Sequence, residues 1–338
     1  MTPVNPYTAR PTTPITQPIV AVSRADLPAR ALDLVPESVD LRVWSGALAP
    51  TPDELVALTR DAHGLICMHT ERIDDAMLTR CPQLVVVSSL GVGHDHLDLG
   101  ALARAGVVAG YTPGVLGEPT ADLAFALILA VARQVLPGDR FVREMSGDYP
   151  DLDLLVGQDL FGATLGIVGY GEIGRAVARR ARGFDMRVIH HSRRRIDDAL
   201  ASWSTLEDLA EQSDIVSIHA PLTAATRHLI DAAFLARMKS TAILVNTARG
   251  GVVDQAALVA ALQQRRIYGA GLDVQVLEPV PPGDPLLSLS NLVLTPHIGS
   301  ASSGGRRASA ELAVANLLAG LDGEPLPAPL AAPEGSIA

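Results

Sequence analysis

Gly169-Tyr170-Gly171-Glu172-Ile173-Gly174 stands directly after the apolar run Thr164–Val168 and opens a segment rich in Ala, Val and Arg. In a strand-turn-helix setting the three glycines have separate physical tasks. The first permits a tight turn, the second lets backbone approach a pyrophosphate, and the third allows strand and helix to close on each other. The helix N-terminus adds N–H donors and a positive dipole end. The segment therefore predicts a dinucleotide-binding βαβ unit.

The rest of the chain repeats this strand and helix alternation. Runs of β character at Ile19–Val22, Gly64–Cys67, Leu84–Ser88 and Gly106–Ala109 alternate with helical patterns at Asp26–Leu34, Pro52–Arg60, Asp74–Arg80 and Leu97–Ala105. After the glycine loop come a helix over Ile173–Phe184 and strands at Arg187–His190, Ile215–His219, Ala242–Asn246, Tyr268–Leu272 and Leu292–Leu294, then a last helix at about Ala301–Leu321. Alternation of this kind predicts parallel sheets wrapped by helices. Between the two series one helical pattern runs from Glu118 to about Glu144, a length that suits a bridge between domains or between subunits.

At 338 residues the chain exceeds what one core usually fills, so two α/β domains are expected. A formal net charge of -10 argues against nucleic acid or an anionic membrane as partner. The longest apolar stretch, Leu123–Ala132, is about half of the roughly 20 residues a membrane span needs and reads as a buried helix. The Pro- and Thr-rich residues 1–17 lack a signal-peptide core and read as a tail, which points to a cytoplasmic protein. Cys67 and Cys81 lack metal-ligand or disulfide spacing, so buried thiols are expected and no metal site is predicted.

The end of the strand after the glycine loop discriminates between coenzymes, because a carboxylate about 20 residues on would hold the ribose 2'-hydroxyl of NAD. Here the chain reads His190-His191-Ser192-Arg193-Arg194-Arg195. A hydroxyl followed by guanidinium groups can donate to a 2'-phosphate and neutralise it. The turn favours NADP(H), with NAD(H) the alternative coenzyme; a solvated basic turn is the competing reading of Ser192, Arg193 and Arg194.

Arg249, Glu278 and His297 each follow an apolar strand of the second series, and open parallel sheets bind ligands at the carboxyl ends of their strands. Reducing a keto acid needs a fixed cation for the carboxylate, a proton donor at the carbonyl oxygen, and a group that keeps the donor protonated. Arg, His and Glu can fill those roles. Taken singly, Arg249 can equally cap a strand end, Glu278 stand in a solvated Pro-rich loop, and His297 be a structural histidine.

Longer motifs add to this. Val245-Asn246-Thr247-Ala248-Arg249-Gly250-Gly251-Val252-Val253-Asp254, Gly271-Leu272-Asp273-Val274, Leu294-Thr295-Pro296-His297-Ile298-Gly299-Ser300 and His219-Ala220-Pro221-Leu222-Thr223-Ala224-Ala225-Thr226 resemble signature segments of the D-2-hydroxyacid dehydrogenases. Val92-Gly93-His94-Asp95-His96-Leu97-Asp98 and Tyr111-Thr112-Pro113-Gly114-Val115-Leu116 resemble the glyoxylate/hydroxypyruvate reductases within that family, over a likeness running from about Ile19 to Leu326.

The resemblance implies that Arg249 orients the substrate and that His297 gives the proton, its pKa raised by Glu278. It implies that the backbone of Val92 and Gly93 holds the carboxylate and that Leu90, with the Met68-His69-Thr70 loop, lines the acid's pocket. His219, Ala220, Pro221, Thr226, Thr247, Ala248, Asp273 and Gly299 would face the coenzyme, and the Ser192 turn resembles that of NADPH-preferring members. The family fold places a coenzyme domain, residues 114–298, inside a substrate domain built from residues 18–113 and 299–330. It also implies a homodimer through the long helical region, acting on a small 2-keto acid or 2-hydroxy acid. Tyr111 departs from the Asn frequent before Thr-Pro, and Tyr149 from a Trp that some reductases insert into a neighbouring subunit. A sugar-acid or phosphite dehydrogenase, or a dinucleotide-sensing co-repressor, would use the same scaffold.

Overall fold

The computed structural model describes residues 15–144 and 153–331, so Tyr149 and most of the N-terminal tail lie outside the described residues. In chain order the elements are β1 (Ile19–Val22), β2 (Asp40–Val43), α1 (Pro52–Thr59), β3 (Gly64–Cys67), α2 (Asp75–Arg80), β4 (Val86–Ser89), α3 (Leu99–Arg104), β5 (Val108–Gly110), α4 (Gly117–Ala132) and α5 (Val135–Glu144). There follow β6 (Thr164–Val168), α6 (Glu172–Ala181), β7 (Arg187–His191), β8 (Ser202–Trp203), α7 (Leu206–Gln212), β9 (Ile215–Ile218) and α8 (Ala232–Arg237). The series ends with β10 (Ile243–Asn246), α9 (Gln255–Gln263), β11 (Gly269–Leu272), β12 (Leu292–Leu294) and α10 (Ser303–Leu321).

The described residues form two compact units, and the first is discontinuous: its pieces lie within residues 1–116 and 301–338, and the second unit lies within residues 117–300. In the first, five parallel strands run in the order β2-β1-β3-β4-β5. Strands β3 and β4 are buried throughout. A strand covered on both faces reads as a continuous apolar run rather than an alternating one. One side of the sheet is covered by Ala310, Val314 and Leu317 of α10, the other by Leu55, Met77 and Leu102 of α1, α2 and α3. Both cysteines are buried thiols.

The second unit is a seven-stranded parallel sheet in the order β12-β11-β10-β9-β6-β7-β8. Strand order reverses between β6 and β9, and the crevice beyond the carboxyl ends of those strands is where such sheets take ligands. Ala124, Phe125 and Ile128 of α4 cover one face together with Ala176 and Val177 of α6. Leu209, Phe234 and Leu258 of α7, α8 and α9 cover the other. Side chains start these helices: Thr205, Asp231 and Asp254 each accept the N–H three residues on, which offsets a donor the first turn leaves unpaired.

Two local expectations are corrected, and two strands are added to those expected. The pattern over Glu118–Glu144 is two helices bent by 58°, because Pro137 cannot donate to the carbonyl four residues back and its ring crowds that group. The chain turns at Gln134, which takes a φ of 49°. Over Asp26–Leu34 the chain forms a 3-10 helix, Pro28–Leu34. The short strands β2 and β8 escape the sequence pattern because each edges its sheet and is partly exposed. No single helix among the described residues is long and apolar enough to cross a membrane.

Candidate active site

The glycine loop shows in its geometry why each glycine is there. Gly169 has a φ of 94°, and a Cβ on it would lie 2.6 Å from the backbone of His219 and Ala220. A Cβ on Gly174 would lie 2.3 Å from the Gly169 carbonyl oxygen. At Gly171 a Cβ would meet nothing within 4 Å. Gly171 is also the N-cap of α6 and offers no capping side chain, so the N–H groups from Glu172 and Ile173 onward stand at an open helix end suited to an anion.

Beyond β7, Ser192 is partly buried while Arg193 and Arg194 are exposed. The Ser192 hydroxyl donates to the Arg194 carbonyl at 2.7 Å, which folds the turn on itself. Beyond β9, His219 lies 2.8 Å by Nε2 from the Ser217 hydroxyl and 3.4 Å by Nδ1 from that of Thr247. Desolvation pushes its pKa down to about 3, so the ring is neutral near pH 7. The next loop is self-braced: Thr226 donates its hydroxyl to the Pro221 carbonyl at 2.6 Å and accepts from Thr223 N–H at 2.8 Å, while Ala220 is buried.

At the end of β10, the buried Asn246 fixes the next three residues. Its carboxamide oxygen accepts from Ala248 N–H and its nitrogen donates to the Arg249 carbonyl, both at 2.9 Å. The Arg249 guanidinium donates to the Ala248 carbonyl at 2.8 Å. A Cβ on Gly250 would sit 2.1 Å from the carbonyl carbon of Gln275. Only glycine allows this approach of the β10 loop to the β11 loop that carries Glu278.

Glu278 Oε1 accepts from Gln275 N–H at 2.9 Å, and Oε2 lies 2.7 Å from His297 Nδ1. Because a carboxylate only accepts, Nδ1 carries the proton between them. His297 has a φ of 53°, a left-handed conformation that costs a residue with a Cβ. Asp273 holds it there. The Asp273 carbonyl accepts from His297 N–H at 2.9 Å, and its carboxylate accepts from Ile298 N–H, Gly299 N–H and the Thr295 hydroxyl at 2.8, 2.7 and 2.6 Å. Thus Glu278 and His297 are in direct contact, and both oxygens of the Asp273 carboxylate are engaged by the His297 loop.

In the first unit, Leu90, Val92 and Gly93 follow β4 and are partly buried. Leu90 N–H donates to the Cys67 carbonyl at 2.9 Å. Gly91, at a φ of 134°, donates its N–H to Thr112 Oγ1 at 2.8 Å. The loop after β3 turns around Glu71, 2% exposed, whose carboxylate accepts from Met68 N–H at 2.7 Å, the Ser23 hydroxyl at 2.6 Å and the Thr70 hydroxyl. Sequence reasoning passed over Asn246, Glu71 and Thr112, which act on backbone rather than on a ligand. Of the three, only Asn246 carries a sequence signal, as a polar residue ending an apolar strand; Glu71 and Thr112 lie further along their loops.

Residues 125–299 match the family described as D-isomer specific 2-hydroxyacid dehydrogenase, NAD binding domain. A glyoxylate reductase of Korarchaeum cryptofilum is 44% identical over 315 residues, covering 91% of this chain and 94% of its own. One from Pyrococcus horikoshii is 42% identical with the same coverage. A crystal structure of a Thermus thermophilus protein superposes with a TM-score of 0.88 at 46% identity, over 93% of this chain and 100% of that one. An NADPH-dependent glyoxylate/hydroxypyruvate reductase of Sinorhizobium meliloti, solved with NADP and malonate, gives 0.83 at 33% identity over 93% and 97%. Sequence identity of that extent, together with the two parallel sheets and the glycine loop at the strand-order reversal, shows that the chain belongs to the D-isomer specific 2-hydroxyacid dehydrogenases.

Proposed function

We propose that the enzyme reduces small 2-keto acids, glyoxylate and hydroxypyruvate foremost, and prefers NADPH to NADH. The observation that carries this reading is the Glu278–His297 pair at 2.7 Å, held on the same rim of strand ends as Arg249 and the glycine loop. The relatives that bear the name glyoxylate reductase support the substrate class, and the NADPH-dependent neighbour supports the coenzyme.

The open helix end at Gly171 fits a dinucleotide pyrophosphate. We assign Gly169, Gly171, Glu172, Ile173 and Gly174 to that group and Ser192, Arg193 and Arg194 to the 2'-phosphate. His219, Ala220, Pro221, Thr226, Thr247, Ala248, Asp273 and Gly299 form the nicotinamide side. When bound, the coenzyme supplies the hydride that the keto carbon receives. Arg249 binds the carboxylate and polarises the carbonyl. His297 gives the carbonyl oxygen its proton from Nε2, since Nδ1 is engaged by Glu278; the carboxylate fixes the tautomer and stabilises the imidazolium. Leu90, Val92 and Gly93 serve substrate recognition. We further assign α5 to contact with a second copy of the chain, since none of its side chains is buried and Val135, Leu136 and Val142 are exposed.

A spectrophotometric panel of glyoxylate, hydroxypyruvate, pyruvate and 2-ketogluconate, each with NADPH and NADH, tests the reading. The highest kcat/KM is expected for one of the first two acids with NADPH. His297→Gln should lose about 10²–10⁴-fold in turnover while binding NADPH. A higher kcat/KM with NADH overturns the coenzyme assignment, and wild-type turnover in the variant overturns the role of His297.

A further inference from the structure

Tyr170 lies between the first two glycines of the loop, and its ring serves none of the roles assigned above. It is nevertheless only 3% exposed. The ring stacks on the imidazole of His190, centroids 4.0 Å apart and planes at 18°. The Arg175 guanidinium lies 5.1 Å from the same ring, and that arginine also donates to Asp198 at 2.5 Å. Two consecutive crossover elements are thus joined through one aromatic stack: the glycine loop after β6, and the end of β7.

His190 in turn spans the basic turn. Its Nε2 lies 3.1 Å from the Ile196 carbonyl, and its Nδ1 lies 3.4 Å from the Ser192 hydroxyl. One fully buried ring therefore reaches both ends of the segment from Ser192 to Ile196. On the far side, Trp203 Nε1–H donates to the Ser192 carbonyl at 3.3 Å, and the Arg195 guanidinium rests 5.7 Å over the Trp203 ring. Arg195 also approaches Asp197. The turn carries three adjacent cations that repel one another, so its conformation depends on these ties. Recognition of a phosphomonoester by a hydroxyl and guanidinium groups requires them to be held within about 0.5 Å of the productive geometry.

We propose that Tyr170 and His190 are specificity-positioning residues: their stack sets the Ser192–Ile196 turn against the glycine loop, and through it the discrimination between coenzymes with and without a ribose 2'-phosphate. The proposal rests on the NADPH reading above. The side chain of His190 reaches the two ends of the turn that meets the 2'-phosphate, and a leucine at either position keeps the main chain of the glycine loop, so loss of the stack weakens NADPH more than NADH. A stack with a merely structural role would weaken both coenzymes alike.

The test compares kcat/KM for NADPH and NADH in wild type, His190→Leu, Tyr170→Leu and Tyr170→Phe, with thermal unfolding of each. The NADPH-to-NADH ratio is expected to fall about tenfold or more in both Leu variants, mainly through the KM for NADPH, since charge-assisted bonds to the phosphate are lost. Tyr170→Phe keeps the stack and should restore the wild-type ratio. If His190→Leu does not fold, Tyr170→Leu reads the same stack from its other side. A wild-type protein that favours NADPH, with Leu variants whose ratio stays within about twofold of it, overturns this proposal alone. A wild-type protein that favours NADH overturns the coenzyme reading and the proposal together.

Discussion

The carbonyl of Asp273 accepts the main-chain N–H of His297 at 2.9 Å, while its carboxylate takes the next two N–H groups along the chain. An anion 1% exposed thus holds His297 in a left-handed conformation with its ring against Glu278. Asp273→Asn removes the charge and turns an amide NH₂ toward one of the donors. We expect it to cost about 2–4 kcal/mol of stability and to lower kcat more than it raises KM. Urea unfolding and steady-state kinetics check both; an unchanged kcat in a folded variant would remove Asp273 from the positioning of His297.

A hydroxyl pair plays the corresponding part in the first unit. Thr112 Oγ1 accepts from Gly91 N–H at 2.8 Å and lies 2.7 Å from the Ser309 hydroxyl of α10. Thr112 N–H also donates to the Gly91 carbonyl at 3.0 Å. Thr112→Val conserves the shape and removes the side-chain bond, leaving donors unsatisfied at a cost of about 1–3 kcal/mol. With Leu90, Val92 and Gly93 assigned to substrate recognition, the keto-acid KM should rise about tenfold with a smaller change in kcat, and Thr112→Ser should restore it. A KM that does not move in Thr112→Val shows that the loop holds its shape without the bond.

Those two braces mark where the sequence was readable and where it was not. Buried strands such as β6, β9 and β10 announce themselves as apolar runs, and the glycine loop announces itself because each glycine answers a steric demand that can be named beforehand. Arg249, Glu278 and His297 could be picked out by their places after strands, but the contact between Glu278 and His297 depends on two loops folding toward each other. The work of Glu71 and Thr112 is set by backbone donors far away in sequence, or exposed only by a turn, and no periodicity encodes that. The break between α4 and α5 is encoded at Pro137, but helical periodicity runs on both sides of it and masks the boundary.

His219 makes stability depend on pH with a definite sign. Desolvation pushes its folded-state pKa down to about 3, against 6.5 for the unperturbed ring. Between those values the unfolded chain binds a proton that the folded chain refuses, so stability falls as the pH drops below about 6.5 and is free of this penalty above it. The limiting slope for one such group is about 1.4 kcal/mol per pH unit. His219→Asn removes the titration, so acidification from pH 7.5 to 5.0 should cost the variant about 1–2 kcal/mol less than the wild type. Urea midpoints at the two pH values measure the difference, and identical losses would mean that the ring is not desolvated in solution.

The exposed apolar face of α5 yields the last prediction. Val135 and Leu136 are 52% and 49% exposed and Val142 is 72% exposed, and the seven-residue spacing of Val135 and Val142 puts them on one side of the helix. If that side meets a second copy across a two-fold axis, the same patch is used by both chains, and one substitution is felt twice. Burying a valine stabilises by about 1.5–3 kcal/mol, and a carboxylate in its place must be desolvated. Val142→Asp should therefore convert a dimer into single chains in sedimentation velocity at micromolar concentration, while the fold survives because the side chain is solvent-facing within its own chain. The assignment of α5 as the contact fails if the variant remains dimeric, and equally if the wild-type protein sediments as a single chain.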